Sequence, residues 1–239
     1  MINGSVWSRL RAALVATTVA LGLTVFPGTA QAAGIQDVSV RLIQSWELPV
    51  TGRSTTILGD MVSGRDVLPD REVSVAITPA GEHSQPTVIF ATTDRQGRFE
   101  VRYRPRSTFT YTASFAGDEF YAAAQSSARQ RVAARVRLVR VPKTVRAGRT
   151  FTVQGRGPAL LAGATVIIHR GVRGVICGVG RPPSDGVLAS TRLRDDGSFR
   201  VRMGLSRSGK QPIFAQITKT STTAAGYTTY RAISVRSAR

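Results

Sequence analysis

The chain has 239 residues, 42% of them hydrophobic, with 33 Lys and Arg against 14 Asp and Glu for a formal net charge of +19. That length provides for two modest domains, each with its own core. One cysteine, Cys177, and two histidines, His83 and His169, exclude an intrachain disulfide and do not make a tetrahedral zinc site. Cys177 is read as a small apolar residue in or near a Gly-rich loop, with a free thiol or an intermolecular bridge left open.

At the N-terminus, Arg9 and Arg11 precede the apolar stretch Ala12 to Phe26, the breaker Pro27-Gly28 and then Ala30-Gln31-Ala32. This order predicts a secretory signal-peptide helix over residues 1–32, cleaved after Ala32. The uncharged run of roughly 15 residues falls short of the ~20 that a spanning helix needs. There is no twin-arginine pair and no Cys directly following the cleavage region, and residues 231–239 resemble neither a second span nor a wall-sorting tail. The expected product is exported and soluble, with no membrane span after cleavage.

Beyond Ala33, short apolar segments alternate with polar residues. Val73, Val75 and Ile77 form one set, Phe99, Val101 and Tyr103 a second, and Phe199, Val201 and Met203 a third. A period of two buries one face and wets the other, which predicts antiparallel strands, and strands separated by turn signals predict a sandwich. Residues 122–135 are rich in helix formers, yet Ala128, Gln130, Val132 and Ala134 fit alternation into Val136, so a closing strand is expected over the second half of that segment. The chain also repeats near a separation of one hundred residues. Thr93-Asp94-Arg95-Gln96-Gly97-Arg98-Phe99 returns as Leu193-Arg194-Asp195-Asp196-Gly197-Ser198-Phe199, each read as a hairpin turn closed by Gly. The expected fold is all-β, two tandem immunoglobulin-like antiparallel β-sandwiches after the signal-peptide helix. The first spans about 36–135 and the second, basic one about 136–239; no Gly/Ser linker separates them.

Several stretches carry a family resemblance. They are Ile57-Leu58-Gly59, Leu68-Pro69-Asp70-Arg71-Glu72-Val73-Ser74-Val75, Ala91-Thr92-Thr93-Asp94-Arg95-Gln96-Gly97-Arg98-Phe99, and Thr110 to Tyr121 with its Phe115-Ala116-Gly117-Asp118 element. On these the first half resembles the bacterial immunoglobulin-like repeats of secreted and surface proteins from high-GC Gram-positive bacteria. Its Thr-Asp-x-x-Gly-x-Phe turn is also similar to that of transthyretin-like stalk domains. The second half keeps the Asp-Gly-x-Phe turn and lacks the Phe-Ala-Gly-Asp element. The resemblance implies a spacer, stalk or adhesive module; the fold does not choose among them.

No constellation for catalysis is present. His83 sits in the Gly81-Glu82-His83-Ser84 loop and His169 ends a predicted strand, one in each half, whereas nucleophilic catalysis needs a base touching both its nucleophile and an orienting carboxylate. Asp118-Glu119 and Asp195-Asp196 are read as turn chemistry, since residues 136–239 hold only three acids and a calcium site takes six to eight oxygens. No enzyme, metal or cofactor is expected.

Charge is where the sequence points to function. Residues 33–135 carry 12 basic and 11 acidic side chains, and residues 136–239 carry 19 basic and 3 acidic, net +16. On the hairpin reading, Arg192 and Arg194 lie on one strand, Arg200 and Arg202 on its neighbour, and all four share an outward face. Arg170, Arg173 and Arg181 lie in a long segment from His169 to Leu188. A strongly positive domain attracts polyanions with steep salt dependence, so Arg192, Arg194, Arg200 and Arg202, supported by Arg170 and Arg173, are the expected binding residues. The expected partner is an anionic cell-wall polymer or glycan, or another secreted protein. Nucleic acid is not expected, because base stacking calls for aromatics among the arginines and only Tyr227 and Tyr230 lie near. The alternatives are a charge that merely keeps the protein soluble, a subunit of a secreted assembly such as an adhesin, toxin complex or appendage, and a protease inhibitor using the 169–188 loop.

Overall fold

A computed structural model describes residues 34–44, 48–81, 85–172 and 184–238, the Asp185 side chain aside. The expected signal peptide, His83, Arg173, Cys177 and Arg181 lie outside the described residues. In the first half, β1 (Ser39–Ile43), β2 (Thr55–Ser63), β3 (Asp66–Val67) and β4 (Glu72–Pro79) precede β5 (Thr87–Thr92), β6 (Arg98–Tyr103), β7 (Phe109–Phe115) and β8 (Ala124–Gln130). One sheet joins β1, β3 and β6 to β2; the other has the order β5-β4-β7-β8. Val73, Val75 and Ile77 of β4, Phe99 and Val101 of β6, and Tyr111 and Ala113 of β7 face one another in a single core, as alternation requires.

The second half repeats the plan. Its strands are β9 (Arg137–Arg140), β10 (Thr144–Arg146), β11 (Thr150–Arg156), β12 (Thr165–Gly171), β13 (Ser184–Arg192), β14 (Ser198–Gly204), β15 (Gly209–Ile217), β16 (Gly226–Tyr227) and β17 (Arg231–Arg236). One sheet is β14-β11-β9; the other is β10-β17-β15-β12-β13, with β16 on β15. β10 runs parallel to β17, whereas the other pairings among named strands are antiparallel. A second core gathers Val153, Val166, Ile168, Phe199, Val201, Ile213, Ala215 and Ile233. The repeat extends to detail. Phe99 stands opposite Gly59 and Phe199 opposite Gly155, and at either glycine a Cβ would strike the ring.

At the repeated Gly turn the strand pairing departs from expectation. Gly97 and Gly197 do hold positive φ, 70° and 75°, the region glycine enters without steric cost. The flanking strands do not pair with each other. β5 hydrogen-bonds to β4 and β6 to β2; β13 bonds to β12 and β14 to β11. The turn is therefore a corner that carries the chain from one sheet to the facing one. Thr93, 2% exposed, anchors the first corner: its Oγ1 donates to the Leu68 carbonyl (2.7 Å) and accepts from the Arg71 N–H (2.9 Å). Thr93→Val keeps the shape and orphans both backbone groups. It is expected to cost about 2 kcal/mol, read as a lower urea midpoint with an unchanged slope.

The Phe115-Ala116-Gly117-Asp118 element ties β7 to the start of β4. The Asp118 carboxylate accepts from Arg71 Nη1 (2.8 Å) and from the N–H groups of Phe120 and Tyr121 (2.9 Å each), and Arg71 lies over the Tyr121 ring. Both Asp118 and Asp196, whose Oδ1 accepts from the Ser198 N–H (2.8 Å), serve turns. The segment 122–135 holds a strand, but earlier than expected. β8 ends at Gln130, and the chain then runs between the halves. Ala133 N–H donates to Pro49 O (2.8 Å), Thr51 N–H to Ala133 O (3.0 Å), Ala224 N–H to Val132 O (2.8 Å) and Ala134 N–H to Ala224 O (3.1 Å). Its polar backbone is satisfied by both neighbours, so this stretch is held in place without belonging to either sheet.

Candidate functional site

The expected arginine face is only partly assembled. Arg200 and Arg202 lie on β14, exposed, alternating with buried Phe199, Val201 and Met203, and so point outward from the β14-β11-β9 sheet. Arg192 ends β13 on the facing sheet, opposite Thr165, because the turn between them is a corner and not a hairpin. It cannot share a face with Arg200. Arg194 is exposed in that corner. Arg170 is half-buried within β12, paired with Ile213, and is not displayed on a loop.

Three arginines that sequence reading passed over complete the face. Arg156 of β11 stands opposite Arg137 of β9, and Gln154 of β11 lies between Arg140 of β9 and Arg200 of β14. Val153 and Gly155 point into the core, so Gln154 and Arg156 point out. Five exposed arginines, 137, 140, 156, 200 and 202, thus share one sheet surface about 10 Å wide, two strand spacings. No acidic residue occurs in β9, β11 or β14. None of the five forms a salt bridge among the described residues, whereas Arg41–Asp60, Arg71–Asp118 and Arg102–Glu100 do in the first half.

Local polar contacts orient this face. With the Gln154 amide turned to put its oxygen toward Arg200, that oxygen accepts from Nη2 (2.7 Å) and Nε (3.1 Å). Arg202 Nη2 reaches Thr150 Oγ1 at 3.5 Å. At the end of the sheet, the Asp196 carboxyl is held below its ordinary range, first by hydrogen bonds from Ser198 and then by the charges of Arg156 and Arg194. The carboxylate therefore stays charged at neutral pH and bounds the cationic surface on that side. The signal for Arg137 and Arg140 was present in Arg137-Leu138-Val139-Arg140, but a β-bulge between β9 and β11 breaks its alternation.

His169 is not at the end of its strand in the sense expected from the sequence. It is buried within β12, 2% exposed, stacked on Phe214 with centroids 4.8 Å apart. Its Nε2 lies 2.7 Å from Gln216 Oε1, and Ser184 Oγ lies 3.2 Å from its Nδ1. Among the described residues no three His, Cys, Asp or Glu converge as a metal site, and no helix is long and apolar enough to cross a membrane.

No protein-family model matches the chain, and no curated protein matches it. Solved structures similar to it include a tetra-tandem repeat from the extending region of a large adhesion protein, at 15% identity and a TM-score of 0.34, over 84% of this chain and 49% of that one. Invasin, described as a bacterial integrin-binding protein, is 16% identical with a TM-score of 0.36, over 84% of this chain and 39% of that one. The alpha-2-macroglobulin of E. coli is 12% identical with a TM-score of 0.35, over 87% of this chain and 17% of that one. The chain spans about half the length of the adhesion-protein repeat and a smaller share of the other two. Likenesses at this level carry no functional information.

Proposed function

We propose that this chain is a secreted, non-enzymatic binding protein of a bacterial cell envelope. Its second domain, 136–239, holds to an anionic wall polymer or glycan, and its first, 36–135, is a spacer or protein-binding module. One observation carries the reading: five arginines on one acid-free sheet surface. Like charges opposed across strands are mildly destabilising, and a bound polyanion offsets that cost. Strand pairing fixes the spacing of the arginine backbones, and the contacts of Arg200 with Gln154 and of Arg202 with Thr150 order part of the face before binding, which lowers the entropy lost there. A second reading, a subunit of a secreted assembly, is favoured by β5. Among the described residues this strand pairs on one side only and exposes Phe90 at 64% and Val88 at 51%, and an uncovered apolar edge accepts an added strand.

The test is retention of the protein on purified cell walls across a salt series, beside walls stripped of their anionic polymers. Steep, salt-sensitive retention that disappears on stripped walls is expected. Retention that ignores both salt and stripping overturns polymer binding, and co-purification with one fixed protein at high salt establishes the second reading.

A further inference from the structure

Between the two halves lies a cleft of about 570 Å³, which shares Arg137 with the edge of the arginine face. We propose that it binds a small amphipathic anion, an aryl or acyl group bearing a carboxylate, sulfonate or phosphate. The first half contributes Leu48, Val50 and Arg53; the stretch after the crossing segment contributes Arg135, Arg137 and Leu138; Tyr227 and Arg231 close the far side. Its volume falls within the range of small-molecule sites, which favour domain junctions.

The chemistry of the walls selects the ligand. Four arginines, Arg53, Arg135, Arg137 and Arg231, line the cleft, no Asp or Glu lines it among the described residues, and none of the four forms a salt bridge there. A guanidinium offers a planar fork that matches carboxylate, sulfonate or phosphate oxygens. Beside these cations Leu48, 41% exposed, and Val50, Leu138 and Tyr227 supply the apolar part of the wall. A hydrophilic polymer would leave that wall wet; an anion with an apolar body covers it while its head meets the arginines. The site is preformed. Arg135 N–H is fixed by Thr51 Oγ1 at 2.9 Å, and the backbone ladder through Ala133 and Ala134 joins the walls. Binding therefore needs little reorganisation.

The test titrates the full chain with the fluorescent anion 8-anilinonaphthalene-1-sulfonate and with the uncharged N-phenyl-1-naphthylamine, which has the same aromatic body. One saturable site is expected for the sulfonate, with the neutral probe at least about tenfold weaker. Arg53→Gln with Arg231→Gln is expected to weaken the sulfonate by roughly tenfold or more, whereas Arg200→Gln with Arg202→Gln leaves it unchanged. Should the first pair shift the thermal midpoint, Leu48→Asp at a half-exposed position sets a like charge against the head group and is expected to abolish binding in a folded protein. Equal affinity for both probes, loss only in the Arg200/Arg202 pair, or full binding to the folded Leu48→Asp protein each overturns the proposal. The substituted residues Arg53, Arg231 and Leu48 line the cleft and are not among the five arginines of the outer face, so either result leaves the polymer reading to its own test.

Discussion

Gly226→Ala is expected to destabilise the protein by about 3 kcal/mol or more, one methyl group costing as much as a large cavity. Gly226 is buried on β16, paired with Ile217 of β15, and a Cβ there would overlap the carbonyl oxygen of Ala134. What it meets is backbone, which has no rotamer into which to retreat. Ala134 is itself held, its N–H bonded to Ala224 O at 3.1 Å, so relief would have to break the ladder that joins the two halves. Gly204→Ala is the control: it is also a strand glycine, but its Cβ would find only Arg149 O at 3.6 Å, an ordinary contact, and its effect is expected within about 0.5 kcal/mol. Urea denaturation of both variants is the measurement. A Gly226→Ala protein as stable as the Gly204→Ala one would mean that the halves are not packed as closely as described.

Replacing Arg156, Arg200 and Arg202 together by Gln is expected to lower affinity for a wall polyanion about 100-fold at low salt. An arginine near an anionic surface contributes about 1 kcal/mol, and each 1.4 kcal/mol is tenfold. Because each neutralised contact also releases fewer counterions, the slope of log affinity against log salt should flatten by roughly two units. All three side chains are exposed and none forms a salt bridge among the described residues; the loss of repulsion offsets the loss of Arg156's attraction to the Asp196 carboxylate, so folding should be little affected. Arg192→Gln is the internal comparison, since it removes the same charge from the facing sheet and is expected to have little effect. An equal loss from Arg192→Gln would mean that net charge, and not the face, governs binding. Both measurements use polymer released from the wall, titrated at several salt concentrations.

The sequence determined a good deal of this protein alone. Val73, Val75 and Ile77, or Phe199, Val201 and Met203, alternate because one side of each strand is buried, and that period is legible without coordinates. So was the internal repeat, since Gly97 and Gly197 occupy the same positive-φ turn, and so was the location of the charge in 136–239. Strand pairing was not legible. A strand, a Gly turn and a strand read identically whether the second strand returns beside the first or crosses to the opposite sheet, because alternation records only which side is buried, not which neighbour accepts the hydrogen bonds. That difference separated Arg192 from Arg200 and brought in Arg137, Arg140 and Arg156, which lie between 44 and 65 positions from Arg200 or Arg202 along the chain. The cleft was equally hidden: Arg53 and Arg231 come from opposite ends of the described chain, and only packing of one half against the other, through backbone groups common to every residue, brings both to the lining of one cleft.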